Sequence, residues 1–311
     1  MSLPIDSSSQ QSAGGQTTVH HRSVELECSW VVPLRDSGAR PPLFCACAGD
    51  GDGAAYSDLA AALPSDQPVY SFGLPALSGR EQFPSVEQIA EKYVRKLRKI
   101  QKRGPYYLCG YSFGGLVVYE MALRLMEEGE QIGLLALLDT EHPSYSQTLP
   151  SAQRTDYYHT YLFHRLRKYG RNVIHGRIDQ IVYDLFVLCR ARCKKVAFRV
   201  FRAASRGLGW RIPSAFSSNE LVLLAAWQAY RPPRYEGRLV LFNAAGRAPE
   251  YKADSTLGWK TCATGAIEVH VTPGDHHNLL RPPHARDFGE RLTPHLGATV
   301  QPDGSDRGVG P

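Results

Sequence analysis

The chain has 311 residues, of which 43% are apolar and 21% are charged, and its formal net charge is +6. This composition is typical of globular proteins and argues against an intrinsically disordered chain. The longest uninterrupted apolar stretches are far shorter than the roughly 20 residues that cross a bilayer, so we expect no membrane-spanning helix.

The seven cysteines do not indicate a disulfide framework. Cys45, Cys47 and Cys109 lie in apolar, strand-like runs, where a thiol usually behaves as a small hydrophobic side chain. The N terminus shows no charged-then-apolar leader of the secretory type. We therefore expect a reducing, cytoplasmic environment.

Short β-rich runs alternate with amphipathic helices between two polar ends, residues 1–22 and 297–311, which we predict to be disordered tails or linkers. In chain order the predicted elements are a strand at 43–48, a helix at 56–63, a strand at 68–72, a helix at 85–102, a strand at 106–110, a helix at 114–128, a strand at 132–138, a helix at 220–230, strands at 238–242 and 267–271, and a helix at 283–292. Ser85 and Gln88 form a capping-box signature, and Gly129 is placed to end the third helix.

This order predicts an α/β fold with a mostly parallel central sheet and helices on both faces. The alternation stops between residues 142 and 217, where the sequence is helical, aromatic and basic. We interpret that stretch as a helical lid inserted into a core formed by residues 23–141 and 218–296.

The strongest local motif is Gly110-Tyr111-Ser112-Phe113-Gly114, a G-x-S-x-G between a predicted strand and a predicted helix. At such a turn, glycines let the strand and helix approach closely and push the serine hydroxyl out above the sheet. This context is typical of the α/β-hydrolase fold and predicts Ser112 as a nucleophile. A turn that only reversed the chain would not need the serine.

A serine nucleophile requires a histidine base and an acid that holds the imidazole, in the chain order Ser, acid, His. His276 and His277 directly follow the last predicted strand, and we expect His276 to be the base and His277 an exposed loop residue. His270 is expected within that strand, and His284 and His295 in or near the last helix.

Three carboxylates are candidates for the acid. Asp139 directly follows the strand at 132–138, at the same sheet edge as Ser112, whereas Glu250 and Asp254 follow the next strand. A charge that ends so apolar a strand needs a partner, so we favour Asp139. Its alternative role is that of a helix N-cap or a solvent-facing carboxylate.

The oxyanion hole requires two backbone N–H groups. We expect one from Phe113, after the nucleophile, and one from Gly49, in the glycine-rich loop at 49–53. That loop lacks the Lys and Ser/Thr of a phosphate-binding P-loop.

Seven segments together resemble the thioesterase domains that release products from nonribosomal peptide and polyketide synthases. They are Leu43-Phe44-Cys45, Tyr56-Ser57-Asp58-Leu59, Gly110-Tyr111-Ser112-Phe113-Gly114-Gly115, Leu138-Asp139, Tyr235-Glu236-Gly237-Arg238, Gly258-Trp259 and Gly274-Asp275-His276. The resemblance covers about residues 40–295 and is weakest in the insertion. Relatives often carry His-Pro-Ala-Gly-Gly in the first loop, where this chain has Cys47-Ala48-Gly49-Asp50-Gly51. Asp50 and Asp52 are two extra carboxylates in this loop.

The resemblance implies Ser112 as nucleophile, His276 as base and Asp139 as acid, with no resident cofactor. It also implies an acyl chain delivered as a thioester on the phosphopantetheine arm of an acyl or peptidyl carrier protein. After acyl transfer to Ser112, either water or a hydroxyl or amine of the chain attacks, giving hydrolysis or macrocyclisation. The alternatives are an oxygen-ester hydrolase of the same fold and a catalytically idle module that binds an acyl carrier.

The positive charge is concentrated in the predicted lid. Between Arg154 and Arg211 the chain has fourteen Lys or Arg residues and three Asp residues, a local charge of +11 that leaves −5 for the rest. One interpretation is a surface that steers an acidic carrier toward Ser112, and another is a solvated helix face.

Two further interpretations of the lid are weaker. Apolar residues at helical spacing are typical of a membrane-surface helix but equally of packing on the sheet; they are Ile178, Ile181, Val182, Leu185 and Cys189. Cys189 and Cys193 lie one helical turn apart without further ligands at metal spacing, so we expect no zinc. No nucleic-acid-binding module is recognisable.

Overall fold

The computed structural model describes residues 30–47, 51–74, 84–145, 219–247 and 253–297, and the single positions 149, 151, 155, 159, 163, 193, 196 and 200. Most of the predicted lid therefore lies outside the described residues, as do residues 1–22 and 298–311. Seven of the single positions are helical and exposed, namely Ser151, Thr155, His159, Phe163, Cys193, Val196 and Val200. The boundaries of the lid stay a prediction.

One seven-stranded sheet forms the centre of the molecule, in the order β1-β3-β2-β4-β5-β6-β7. The strands are β1 Val31–Arg35, β2 Leu43–Ala46, β3 Val69–Phe72, β4 Tyr106–Tyr111, β5 Ile132–Leu138, β6 Leu239–Ala244 and β7 Ile267–Thr272. All neighbouring pairs are parallel except β1 with β3. The mostly parallel sheet is confirmed, and each of the six predicted strands is present.

The strand β1 is not predicted by the sequence pattern. Its middle residue, Pro33, has no N–H to donate, and a proline in an apolar run argues against a central strand. The strand lies at the edge of the sheet, where the missing donor is tolerated, and its register shifts between Pro33 and Arg35. The Arg35 side chain donates hydrogen bonds to the carbonyls of Ala60 and Pro64, which anchors this edge.

Within the described ranges, five α-helices cover the sheet. They are α1 Ser57–Ala62, α2 Val86–Ile100, α3 Phe113–Glu127, α4 Asn219–Ala229 and α5 His284–Leu292. Alternate strand residues enter two separate apolar clusters, one with side chains of α2, α3 and α4 and the other with side chains of α1 and α5. Helices therefore lie on both faces, as predicted. None of the helices in the described ranges is long and apolar enough to cross a membrane.

The predicted helix ends are confirmed. Ser85 Oγ accepts from Gln88 N at 3.3 Å and Gln88 Oε1 accepts from Ser85 N at 2.9 Å, so both bonds of the capping box form. Gly129 has φ of 81° and donates to Met126 O, which closes α3 in the left-handed conformation that glycine favours. Helix α3 is therefore fixed at the end remote from Ser112.

Candidate active site

The G-x-S-x-G segment forms a tight turn between β4 and α3. Ser112 has φ of 54° and ψ of −119°, a strained conformation for a residue with a side chain. A Cβ atom at Gly110 would lie 2.3 Å from Gly114 O, and one at Gly114 would lie 2.2 Å from Ala46 O. Both glycines are therefore needed, because strand, turn and helix approach one another too closely for side chains.

Two side chains fasten this turn to the neighbouring strands. The hydroxyl of Tyr56 accepts from Tyr111 N at 2.8 Å, and Thr140 Oγ1 donates to Ser112 O at 3.0 Å. The Thr140 side chain fits against Gly115, where a Cβ atom would lie 2.1 Å from Thr140 Oγ1. The strained serine is thus held from both sides.

The structure brings Ser112, His276 and Asp139 together. Ser112 Oγ lies 3.1 Å from His276 Nε2, and His276 Nδ1 lies 2.7 Å from Asp139 Oδ2. Asp139 directly follows β5, and His276 lies in the loop after β7, so both reach the sheet edge at which β4 ends. Of the two adjacent histidines, His277 is the exposed one.

The loop that carries His276 is held by its own side chains. Asp275 Oδ1 accepts from the main-chain N–H of His277 and Asn278, at 2.8 and 3.1 Å, and Asn278 Oδ1 accepts from Asp275 N at 2.7 Å. Gly274 has φ of 98°, and a Cβ atom there would lie 2.5 Å from Asn278 Oδ1. These bonds fix the direction in which the imidazole leaves the loop.

Asp139 is the most confined member of the three. Its side chain is 0% exposed, and Oδ1 accepts from Ala244 N at 2.9 Å and from Arg247 Nε at 2.5 Å. Burial alone would raise the pKa of this carboxyl. The hydrogen bond from His276, the charge of Arg247 and the Ala244 N–H outweigh burial, so the pKa lies below its ordinary value.

The competing carboxylates have other roles or lie outside the described chain. Asp254 accepts from the main-chain N–H of Thr256 at 3.0 Å and of Gly258 at 3.3 Å, and forms an ion pair with Lys260 at 3.3 Å. These contacts stabilise the turn before Trp259. Burial raises the pKa of Asp254, but the hydroxyl and N–H of Thr256 and the charge of Lys260 hold it below its ordinary value. Glu250 is outside the described residues.

The predicted oxyanion hole is described only in part. Phe113 is the first residue of α3, a position whose N–H has no partner within the helix. Gly49 and Asp50 lie outside the described residues, so their placement stays a prediction. Asp52 accepts from Ala54 N at 2.8 Å and caps the 3₁₀ turn Gly53–Tyr56.

A cavity of about 570 Å³ opens beside these groups. Its lining among the described residues is Ser112, Asp139, Glu141, Leu224, Trp227, Gly246, Arg247, Asp275, His276 and His277. The apolar part of the wall comes from α4, and the polar part comes from the ends of β5, β6 and β7. The cavity can hold a chain with both apolar and polar groups next to the serine hydroxyl.

The other histidines lie where the sequence predicted. His270 is in β7, stacked on Phe242 with ring centroids 5.0 Å apart, and His284 begins α5. His295 follows α5 in a 3₁₀ turn. Burial lowers its pKa, with the charge of Glu268 acting in the opposite direction.

Within the described ranges, Glu268, His270 and His295 are the one group of three side chains close enough to share a metal ion. Arg238 already binds Glu268, and its Nη2 lies 2.9 Å from His295 Nδ1. Because a guanidinium only donates hydrogen bonds, Nδ1 of a neutral His295 ring accepts and the ring proton lies on Nε2. Nε2 faces Glu268 and would have to bind the metal, so a proton there competes with metal binding. None of the three lines the cavity beside Ser112.

A family model for the thioesterase domain matches residues 41–292. The chain belongs to the thioesterase domain family. Its α/β-hydrolase fold and its place among hydrolases follow from that membership.

Curated relatives of this thioesterase domain are large synthetases. The nonribosomal peptide synthetase CymA of Salinispora arenicola strain CNS-205 is 30% identical over 278 residues, which covers 87% of this chain and 3% of CymA. Malpibaldin synthetase of Mortierella alpina is 30% identical over 275 residues, covering 87% of this chain and 4% of the synthetase. The thioesterase domain thus spans a small fraction of the length of these relatives.

A solved structure supports the fold of this thioesterase domain. The thioesterase domain NocB, in covalent complex with a fluorophosphonate nocardicin G analogue, is 21% identical with a TM-score of 0.57. The match covers 86% of this chain and 100% of NocB. At this level of identity the likeness concerns the fold alone.

Sequence reasoning missed two residues of the site in this thioesterase domain. Arg247 belongs to no recognisable motif, and its contact with Asp139 joins positions that are distant along the chain. Tyr56 was noted as part of a family segment, without a role. The Tyr56 hydroxyl donates to Ala46 O at 2.7 Å. The ten-residue spacing between them does not predict this contact.

Proposed function

We propose that this thioesterase domain releases an acyl or peptidyl chain from the phosphopantetheine thioester of a carrier protein through an acyl-Ser112 intermediate. The observation that carries the proposal is the chain of contacts from Ser112 Oγ to His276 Nε2 at 3.1 Å and from His276 Nδ1 to Asp139 Oδ2 at 2.7 Å. Both distances are those of hydrogen bonds between a nucleophile, its base and the acid that orients the base.

In the first step, His276 takes the proton of the Ser112 hydroxyl as the oxygen attacks the thioester carbonyl. The main-chain N–H of Phe113, with that of Gly49, stabilises the oxyanion of the tetrahedral intermediate. The C–S bond then breaks, and the phosphopantetheine thiol leaves with the proton from His276. Asp139 remains ionised and holds the imidazole, because its pKa lies below the ordinary range.

In the second step, His276 deprotonates water or a hydroxyl or amine of the bound chain, which attacks the acyl-Ser112 ester. The ester C–O bond then breaks, and Ser112 regains its proton from His276. Water gives the free acid, and an internal nucleophile gives a macrocycle. Intramolecular attack is favoured when the cavity folds the chain back on itself, since effective concentrations of well-oriented groups are very high. The product formed by the wild-type domain identifies which nucleophile is used.

The carrier protein is part of the proposal. Its support is that the curated relatives are synthetases and that residues 154–211 carry a charge of +11 in this chain. Carrier proteins are typically acidic, and opposite charges accelerate encounter and fix orientation. We place the reaction in the cytoplasm, where loaded carriers are made.

The decisive experiment compares three substrates that carry the same acyl group: a carrier-bound thioester, an N-acetylcysteamine thioester and a simple oxygen ester. We expect thioester turnover to exceed ester turnover and mass spectrometry to find the acyl group on Ser112. Ser112→Ala should abolish both turnover and acylation while retaining the fold, whereas the surface variant Ser57→Ala should behave as wild type. Preferential turnover of the oxygen ester would instead indicate an esterase, and carrier binding without Ser112 acylation would indicate an idle module.

Docking of the carrier is tested separately by charge reversal in the basic segment. Arg192→Glu combined with Lys195→Glu should raise KM for the carrier-bound thioester, most strongly at low salt, and leave the N-acetylcysteamine thioester unaffected. The matched control reverses two exposed arginines elsewhere, Arg95→Glu and Arg286→Glu. An equal change in both double variants would remove the docking role of residues 154–211.

A further inference from the structure

Arg247 contacts Asp139 at two points. Its Nε donates to Asp139 Oδ1 at 2.5 Å, and its Nη2 donates to Asp139 O at 2.9 Å. The Arg247 side chain is only 11% exposed, and that of Asp139 is 0% exposed. Asp139 has φ of 46°, a conformation that costs free energy in a residue other than glycine. One guanidinium therefore holds both the carboxylate and the strained backbone of this residue.

The loop that carries Arg247 is also fastened to the chain that leads to His276. Ala245 N donates to Thr272 O, and Gly246 N donates to Gly274 O, both at 2.8 Å. A Cβ atom at Gly246 would lie 2.9 Å from Gly274 O, so the two loops are in close contact. The guanidinium and the imidazole are thereby fixed on opposite sides of one carboxylate.

The two carboxylate oxygens of Asp139 have different hydrogen-bond partners. Oδ1 receives the Ala244 N–H and the Arg247 Nε–H, which leaves Oδ2 to receive the Nδ1–H of His276. A carboxylate held in this way cannot rotate without losing a charge-assisted hydrogen bond. The fixed Oδ2 keeps the proton on His276 Nδ1 and so keeps Nε2 free to accept the proton of Ser112.

The charge of Arg247 changes the electrostatics of proton transfer. Without it, His276 would gain its proton next to a buried anion. With it, the imidazolium forms next to a neutral pair of Asp139 and Arg247. The charge of Arg247 is also one cause of the lowered pKa of Asp139, which keeps the carboxylate ionised as the acceptor of the His276 Nδ1–H.

We propose that Arg247 is a positioning residue, which fixes the carboxylate of Asp139 so that its Oδ2 orients the His276 imidazole toward Ser112. This inference rests on the proposed function. The other groups that face His276 are named because they share its electrostatic environment: Ser112 in the turn, the ring of Tyr111 at the end of β4, Glu141 across the cavity, and Asp275 and His277 on its own loop. They are unchanged in the variants below.

The test measures how fast a fluorophosphonate labels Ser112 as a function of pH. This reaction needs the nucleophile and its base but no natural substrate, so it separates the role of Arg247 from the identity of the acyl chain. Absence of wild-type labelling would refute the proposed function itself. Wild-type labelling with unaltered variants would refute only the inference about Arg247.

Arg247→Met removes the charge and keeps much of the side-chain length. We expect its labelling rate to fall about 10- to 100-fold across the pH range. Arg247→Lys keeps the charge but loses the two-point contact, so its labelling rate should lie between those of wild type and Arg247→Met. Arg286→Met, at an exposed arginine, should not change the labelling rate.

Chemical rescue distinguishes positioning from a general loss of structure. Arg247→Ala should recover labelling when guanidinium ion is added at non-denaturing concentration. Circular dichroism of each variant shows whether the fold is retained. Equal labelling rates in wild type and Arg247→Met, or a folded Arg247→Ala that guanidinium ion does not rescue, would overturn the proposal.

Discussion

The hydroxyl of Tyr56 accepts a hydrogen bond of 2.8 Å from the main-chain N–H of Tyr111, the residue before Ser112. The same hydroxyl donates to Ala46 O at 2.7 Å, at the end of β2. Tyr56 and Ala46 are fully buried, whereas Tyr111 is half-buried. One phenol therefore joins the turn that carries Ser112 to the strand that leads into the loop at residues 49–53.

Tyr56→Phe should therefore destabilise both the fold and the site. It leaves the half-buried Tyr111 N–H and the buried Ala46 carbonyl without this partner, which costs about 1–3 kcal/mol of unfolding free energy. Thioester turnover should also fall, because the turn and the strand are no longer tied together. The measurement is urea unfolding with steady-state kinetics.

Tyr70→Phe is the matched control, because its hydroxyl donates to Asp36 O at 3.3 Å in an exposed position. We expect it to change the unfolding free energy by less than about 0.5 kcal/mol. Equal effects of the two substitutions would show that the Tyr56 contacts contribute nothing specific.

The sequence predicts the central fold well because its signals are local. The apolar runs of β2, β4 and β5 and the caps at Ser85 and Gly129 depend on residues close together in the chain. The edge strand β1 escapes this reasoning, because Pro33 breaks the local pattern and only its place in the sheet makes it acceptable.

The other features that the sequence does not predict are contacts between residues distant along the chain. The order Ser, acid, His limits the choice of candidates for the site because the fold constrains where each strand ends. No rule of spacing predicts that Arg247 would meet Asp139 or that Tyr56 would bridge two strands. Those contacts require the relative placement of loops, which emerges only when the sheet is assembled.

The adjacent histidines allow a direct comparison. His276 Nε2 lies 3.1 Å from Ser112 Oγ, whereas His277 is exposed and stacks edge-on against His276, with ring centroids 5.5 Å apart. We expect His276→Ala to lower kcat by about 10³-fold or more and His277→Ala to change it by less than tenfold. The assay measures thioester turnover and, by fluorophosphonate labelling, the fraction of the protein in which Ser112 reacts. A larger loss in His277→Ala would reverse the assignment of the base.

Substitutions at the buried carboxylates Asp139 and Asp254 should have different effects on turnover. Asp139→Asn should lower kcat by about 10³- to 10⁴-fold, since an amide holds the imidazole in the wrong tautomer. Asp254→Asn should leave kcat within a few-fold of wild type but lower the urea midpoint, because it weakens the cap on Thr256 and the ion pair with Lys260. Retained turnover in Asp139→Asn together with loss in Asp254→Asn would identify Asp254 as the acid.

Glu120 gives a pH dependence of stability with a defined sign. Its carboxylate accepts from Tyr230 Oη at 2.9 Å and Arg124 Nε at 3.0 Å, which fastens α3 to the residue that follows α4, the helix that lines the cavity. Burial raises its pKa above the ordinary value of 4.5, although Tyr230 and Arg124 act in the opposite direction. The folded state therefore binds this proton more tightly than the unfolded state does.

It follows that the contribution of Glu120 to stability is complete below its ordinary pKa and is lost as the pH rises through the raised value. Relative to Glu120→Gln, the wild type should lose unfolding free energy between pH 4 and pH 7, as measured by urea unfolding at each pH. Glu130 is the matched control, because the Gly104 N–H and Arg98 lower its pKa. Relative to Glu130→Gln, the wild type should gain stability as the pH rises through the ordinary value of 4.5 and then stay level, so slopes of the same sign for the two carboxyls would contradict the burial argument.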